Sequence, residues 1–115
     1  GSHAQTHPRL RLLSEAQARA ELRGSRADLE DLLGEPVTLL AYPYGTNQTV
    51  SPRDLRLAAE SGYEAAFLNM IGPLRAGQTD LLAIPRAKVL GSDSLAVFRG
   101  SLTGALDLWR LIEER

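Results

Sequence analysis

The chain has 115 residues, 43% hydrophobic and 23% charged, with a formal net charge of −1. That is an ordinary globular balance, enough for one domain with a modest core. It excludes a general nucleic-acid binder, which would carry a basic stripe. Cysteine is absent, so disulfides and thiolate metal sites are excluded and the compartment is undetermined. No apolar run approaches the roughly 18 residues of a membrane span, and no signal-peptide pattern is visible. Neither a membrane nor a nucleic acid is expected as a partner.

Gly1-Ser2-His3 opens the chain without Met and reads either as native sequence or as a cleavage scar. The first clear element is a helix. Ser14 and Gln17 form a Ser-x-x-Gln capping box. Ala18, Leu22, Ser25, Leu29, Leu32 and Leu33 follow at helical spacing, opposite a solvated face of Arg and Glu. Gly34 is the predicted left-handed cap. Val37 to Tyr42 is short, apolar and preceded by Pro36, which predicts a buried strand. Pro43 to Gln48 is its exit loop. Ser51 caps a second helix, with Pro52 at its first position, Asp54 in the first turn and Gly62 closing it.

Tyr63 to Asn69 is a second predicted strand, and Met70 to Asp80 is loop. Leu82 to Leu90 is a third strand, broken or edged by Pro85. Gly91 to Ser94 lead into a helix starting near Leu95, kinked or split at Thr103-Gly104. Ala105 to Glu114 is the final helix, with Leu102, Leu106 and Trp109 facing inward and Phe98 in the core. Strands alternating with helices predict an α/β fold with parallel pairing through right-handed crossovers. Three strands are few for such a sheet, whose faces and edges need cover. Residues 1–115 therefore read as a single domain forming part of a larger barrel or sheet.

His3 and His7 place two imidazoles four residues apart just before the first helix, within reach of one ion. Neutral imidazole suits zinc and other divalent first-row metals. A disordered terminus is the competing reading of so early a pair. Pro43-Tyr44-Gly45 is turn chemistry. Asp93 sits at the exit of the third predicted strand, where barrel sites lie. There it is a candidate carboxylate, although it or Ser92 better suits a helix cap. Asn69 and Asp80 are weaker candidates of the same type.

Gly1-Ser2-His3, Thr6-His7-Pro8 and Leu10 resemble the second motif of the polysaccharide deacetylase family, carbohydrate esterase family four. Leu13-Ser14-Glu15-Ala16, Ala41-Tyr42-Pro43-Tyr44-Gly45, Ser61-Gly62-Tyr63 and Ile84-Pro85-Arg86 continue the resemblance in order. It implies a distorted (β/α) barrel, of which this chain would be about half, with zinc or another divalent metal on His3 and His7. It gives Tyr44 the role of polarising the substrate carbonyl through its N–H. It also implies an Asp-Asp motif, supplying a third ligand and a general base, in a strand before His3. The late-motif histidine has no counterpart at Lys88 to Ser92. The arginine before Tyr-Pro is replaced by Leu40-Ala41, and Arg86 is the candidate to supply that charge.

The expected function is that of a small metal-dependent hydrolase acting on esters, phosphoesters or N-acetyl groups, with water activated at the metal. The catalytic candidates are Tyr44, Arg86 and Asp93. The alternative is a non-catalytic remnant or piece of a deacetylase that folds and oligomerises only. A cut barrel exposes edges and apolar surface, so a homo-oligomer is expected, most simply a dimer. The third metal ligand would then come from water, a carboxylate such as Asp93, or a second subunit. The small-molecule or carbohydrate substrate is not specified by the sequence.

Overall fold

The computed structural model describes residues 1–105. The predicted helix from Ala105, with Leu106 and Trp109, lies outside the described residues apart from its first one. A short 3-10 turn, Leu10–Leu12, precedes α1 (Glu15–Leu33). Then come β1 (Leu39–Ala41), α2 (Pro52–Glu60), β2 (Ala65–Phe67) and α3 (Leu95–Leu102).

Local chemistry sets the helix ends. Ser14 and Gln17 cap α1 reciprocally, and Gly34 closes it at φ 70° with its N–H on Glu30 O. Pro52 starts α2, where its missing N–H is not needed. Buried Asp54 reaches back to accept from the Ser51 N–H and hydroxyl, both at 2.8 Å. Arg53 pairs with Asp54 at 2.7 Å and donates to the carbonyls of Leu10 and Leu13, tying α2 to the turn before α1.

β1 and β2 pair in parallel, with Leu39 opposite Ala65, Leu40 opposite Ala66 and Ala41 opposite Phe67. Ser2 extends the ladder on one side by bridging Leu40, and Ile84 extends it on the other by bridging Phe67, both in parallel. Four parallel segments thus lie side by side in chain order, with α1 and α2 making the first two crossovers. Leu22 of α1, Leu57 and Ala58 of α2, and Leu40 and Ala66 of the sheet form the buried core. This is an α/β fold with parallel strands and flanking helices.

Gly1-Ser2-His3 is an integral segment of this sheet. Ser2 is 1% exposed, donates its N–H to Leu39 O at 2.8 Å and accepts from Ala41 N at 2.9 Å. Its hydroxyl lies 2.8 Å from Ser25 Oγ on α1 and 2.7 Å from Tyr63 Oη, which is also 2.7 Å from Leu22 O. A carbonyl can only accept, so the single Tyr63 proton goes to Leu22; Ser2 then donates to Tyr63 and Ser25 to Ser2. Every member of this buried chain is satisfied, which is what makes it tolerable in the core.

Several expectations are corrected. The strands are shorter than Val37 to Tyr42 and Tyr63 to Asn69. Leu82 to Leu90 does not form a strand: Ile84 alone bridges β2, and Pro85 has no N–H to continue the ladder. Leu32 and Leu33 do not face the core, being 81% and 57% exposed. At about 1.5 Å per residue, the 19 residues of α1 outrun the short strands beneath. Phe98 and Leu102 are exposed as well, and no residue of α3 is buried. Their periodicity marks an apolar stripe, but nothing among the described residues covers it.

Candidate metal centre

In a parallel sheet the chain leaves each strand at the same edge, where ligands bind. Here His3 follows Ser2, Tyr44 follows β1, Asn69 follows β2 and Arg86 follows Ile84. Each candidate lies one to three residues past a paired sheet position, so the topology gathers them at one edge.

His3 Nδ1 lies 2.7 Å from Ala41 O at the end of β1. The carbonyl has no hydrogen to give, so Nδ1 carries it, and the neutral ring keeps its lone pair on Nε2. A metal-binding imidazole is oriented in this way. The His7 ring stands 4.8 Å from the His3 ring, edge to face, and the Tyr44 ring stands 4.7 Å beyond His7 in the same manner. The Arg9 guanidinium lies 5.4 Å above the Tyr44 ring, in the range of a cation–π contact. The two histidines and Tyr44 are therefore brought together as one row of rings.

The backbone beneath this row is strained. Ala4, His7 and Tyr44 have φ of 60°, 58° and 61°, the left-handed region that costs a non-glycine residue about 1–2 kcal/mol. The Gly45 N–H donates to Pro43 O at 2.7 Å across Tyr44, a classic γ-turn, which is rare and strained. Tyr44 is 45% exposed, and its N–H meets no acceptor among the described residues, as an oxyanion donor requires. Gly45 in turn accepts from Asn69 N at 2.8 Å, locking the turn to the exit of β2.

Glu21 holds the loop between the histidines from below. Its carboxylate accepts from Gln5 N and Thr6 N, each at 2.9 Å, and from Thr6 Oγ1 at 2.6 Å. Burial works against its charge, but these hydrogen bonds outweigh it and hold the carboxyl below its usual range. The sequence assigned the Glu residues of α1 to a solvated face, so Glu21 and Arg9 are site residues it missed. One signal was present: Glu21, Gly24, Ser25 and Asp28 repeat at i, i+3, i+4 and i+7, a small and polar stripe beside the apolar one.

The remaining candidates make other contacts. Arg86 donates its Nε to Leu68 O at 3.2 Å, while the cation over Tyr44 is Arg9. Asp93 accepts from Leu90 N at 2.7 Å and closes a turn, whereas the cap of α3 falls to Ser94, which accepts from Val97 N at 3.2 Å. Asp80 accepts from Leu82 N at 2.8 Å. Among the described residues, no group of three or more His, Cys, Asp or Glu side chains converges to hold a metal. Among the described residues the donor set that fits a divalent ion is thus the imidazole pair alone, two of the three protein ligands a catalytic zinc site uses.

Two clefts open beside the Tyr44–Gly45 turn. One, of about 260 Å³, is lined by Thr46, Asn47, Gln48, Asn69 and Met70. It shares Asn47 and Met70 with a larger one of about 440 Å³ that reaches Arg75, Gln78 and Asp80. Tyr42 is buried, its hydroxyl donating to Leu82 O at 2.9 Å. Burial, followed by the charges of Asp80 and Asp54, pushes that phenol well above its usual range, so it stays protonated.

Solved structures carry the same architecture. A Streptococcus pyogenes deacetylase in complex with acetate superposes on 86% of this chain with a TM-score of 0.75 at 24% identity. A polysaccharide deacetylase from Bacillus cereus superposes on 87% with a TM-score of 0.74 at 25% identity. One described as putative, from Bacillus anthracis, superposes on 86% with a TM-score of 0.73 at 25% identity. The chain spans 42%, 30% and 30% of their respective lengths. No curated protein matches it. The family model described as polysaccharide deacetylase matches residues 1–66, more than half of the chain, with both histidines, Tyr44 and strand β1 inside it; the chain belongs to the polysaccharide deacetylase family.

Proposed function

We propose that the protein is a metal-dependent hydrolase of the deacetylase type, acting on N-acetyl groups, esters or phosphoesters. The observation that carries this reading is the His3 Nδ1–Ala41 O bond beside His7: it fixes one imidazole with its free nitrogen available and a second ring 4.8 Å away. His3 and His7 would hold zinc or a similar divalent ion, whose chemistry when bound is to polarise the substrate oxygen and lower the pKa of water. Tyr44 would donate its N–H to the oxygen that gains charge. Arg9 over the Tyr44 ring would steady that turn and favour negative charge nearby. The smaller cleft beyond Gly45, with the amides of Asn47, Gln48 and Asn69, offers the paired donors and acceptors that sugar hydroxyls need.

The missing ligand leads to the proposed quaternary state. We infer a homodimer, in which a second copy supplies a further ligand and covers α3, whose Leu95, Val97, Phe98 and Leu102 are 62%, 44%, 39% and 71% exposed. The competing reading, a chain that folds and associates without turnover, draws on the same shortage of a third ligand. Purified protein, with and without chelator, assayed on N-acetyl sugars, aryl esters and phosphoesters separates the two. Chelator-sensitive turnover supports the hydrolase; turnover that survives chelation refutes the metal mechanism. A sedimentation mass of a monomer at micromolar concentration refutes the dimer.

A further inference from the structure

The stripe Glu21, Gly24, Ser25 and Asp28 on α1 meets the N-terminal segment at every step. Ser25 bonds to Ser2, just before His3. Asp28 accepts from Gln5 Nε2 at 2.8 Å. Gly24 leaves the room that the Gln5 side chain occupies: a Cβ there would stand 2.4 Å from Gln5 Cδ. Glu21 gathers the successive N–H groups of Gln5 and Thr6, with the Thr6 hydroxyl as a third donor. These donors belong to the loop that joins His3 to His7. Its two left-handed residues, Ala4 and His7, flank them. Strained backbone persists only where its surroundings over-determine it. Charge-assisted bonds from one carboxylate to consecutive amides supply that constraint.

We propose that Glu21 is a positioning residue that sets the spacing and orientation of the His3–His7 pair through the Ala4–Thr6 loop, with no contact to the ion or substrate. The role of that pair as a metal site rests on the function proposed above; the geometric role of Glu21 does not. An outer carboxylate of this kind typically changes metal affinity by about 10–100-fold.

The test compares wild type with Glu21→Ala, Glu21→Gln and Glu30→Gln. Glu30 is a fitting control because it is also a hydrogen-bonded carboxylate on α1, accepting from Val37 N and Arg26, away from the histidine loop. Zinc affinity is read by competition with a chromophoric chelator. Ring contacts among His3, His7 and Tyr44 are read by NMR cross-relaxation in the metal-free protein. The expected result is a loss of zinc affinity of about 10–100-fold in Glu21→Ala. Loss of the His7–Tyr44 cross-peak should accompany it, with a smaller effect in Glu21→Gln and none in Glu30→Gln. Unchanged cross-peaks in folded Glu21→Ala, or in Glu21→Gln if the alanine variant does not fold, overturn the proposal. If wild type takes up no zinc, the metal reading falls, and the metal-free cross-peaks still decide the role of Glu21.

Discussion

His3 and Ala41 are joined ring to carbonyl at 2.7 Å, although 38 positions separate them in the chain. The bond makes the end of β1 the outer partner of one imidazole, whereas His7 is placed by its own left-handed backbone. The two histidines should therefore respond differently to substitution. His7→Asn removes an imidazole while keeping a residue that tolerates positive φ. It should lower zinc affinity on the order of 100-fold or more and leave stability within about 0.5 kcal/mol. His3→Ala should lose zinc to a similar degree and also cost about 1 kcal/mol through the lost bond to Ala41. Metal titration paired with urea unfolding checks both; equal stability losses in the two variants would contradict this division of labour.

Gly45 carries two constraints at once. Its φ is 65°, and a Cβ would stand 2.6 Å from the Asn69 backbone nitrogen. Gly34 shares the left-handed φ, at 70°, but has nothing within 4 Å of that position. Gly34→Ala should thus cost about 1 kcal/mol, the conformational term alone. Gly45→Ala should cost about 2–3 kcal/mol, because the Asn69–Gly45 bond must also give way. Paired denaturant curves test the difference. Because Tyr44 is held in the same turn, Gly45→Ala should also disturb the Tyr44–His7 ring contact seen by NMR.

What the sequence made legible was local chemistry. Ser14 with Gln17, Gly34, and Ser51 with Pro52 each determine a helix end through atoms a few residues apart, and each stands as expected. The Pro43-Tyr44-Gly45 turn was legible as a turn, but a positive φ falls on Tyr44 as well as on Gly45, because the γ-turn bond closes across Tyr44. Glu21 was not legible, since its donors lie 15 and 16 residues away, in an irregular loop with no periodicity to place them. Nor was the fate of Leu82 to Leu90, where β-propensity was overridden by Pro85 and a single bridge. The apolar stripe of α3 was visible as a pattern, but periodicity says which residues share a face and not what covers them.

Tyr63, Ser2 and Ser25 link the N-terminal segment, α1 and the start of β2 through buried hydroxyls. Tyr63→Phe removes the donor to Leu22 O and the acceptor for Ser2, leaving groups with no water to replace it. The expected loss is about 1–2 kcal/mol by urea unfolding. Ser2→Ala should cost a comparable amount, and the double variant should cost less than the sum, with a coupling of at least about 0.5 kcal/mol. Strict additivity would mean that the two hydroxyls do not act as one chain. A Ser2 that behaved like an unstructured terminal residue would show no loss at all.

Glu15 and Glu60 bridge α1 and α2 through Arg19 and Arg56. Hydrogen bonding to Arg56 lowers the Glu15 carboxyl below its ordinary value of 4.5, and bonding to Arg19 does the same for Glu60. A carboxyl lowered in the folded state binds fewer protons there than in the unfolded chain. Its contribution is present above the unfolded value and is lost as pH falls through the folded one. Stability should therefore decline below about pH 4.5, and Glu15→Gln with Glu60→Gln should flatten that decline. Both carboxylates are solvent-exposed, so salt must matter: the Debye length shrinks from about 10 Å at 0.1 M to about 3 Å at 1 M. Urea midpoints at pH 6 and pH 3.5, in low and high salt, should show a smaller pH effect in high salt and in the double variant. An undiminished slope in that variant would locate the acid sensitivity elsewhere, with Glu21 and Glu30 the next carboxylates to replace because hydrogen bonds hold both below the usual range.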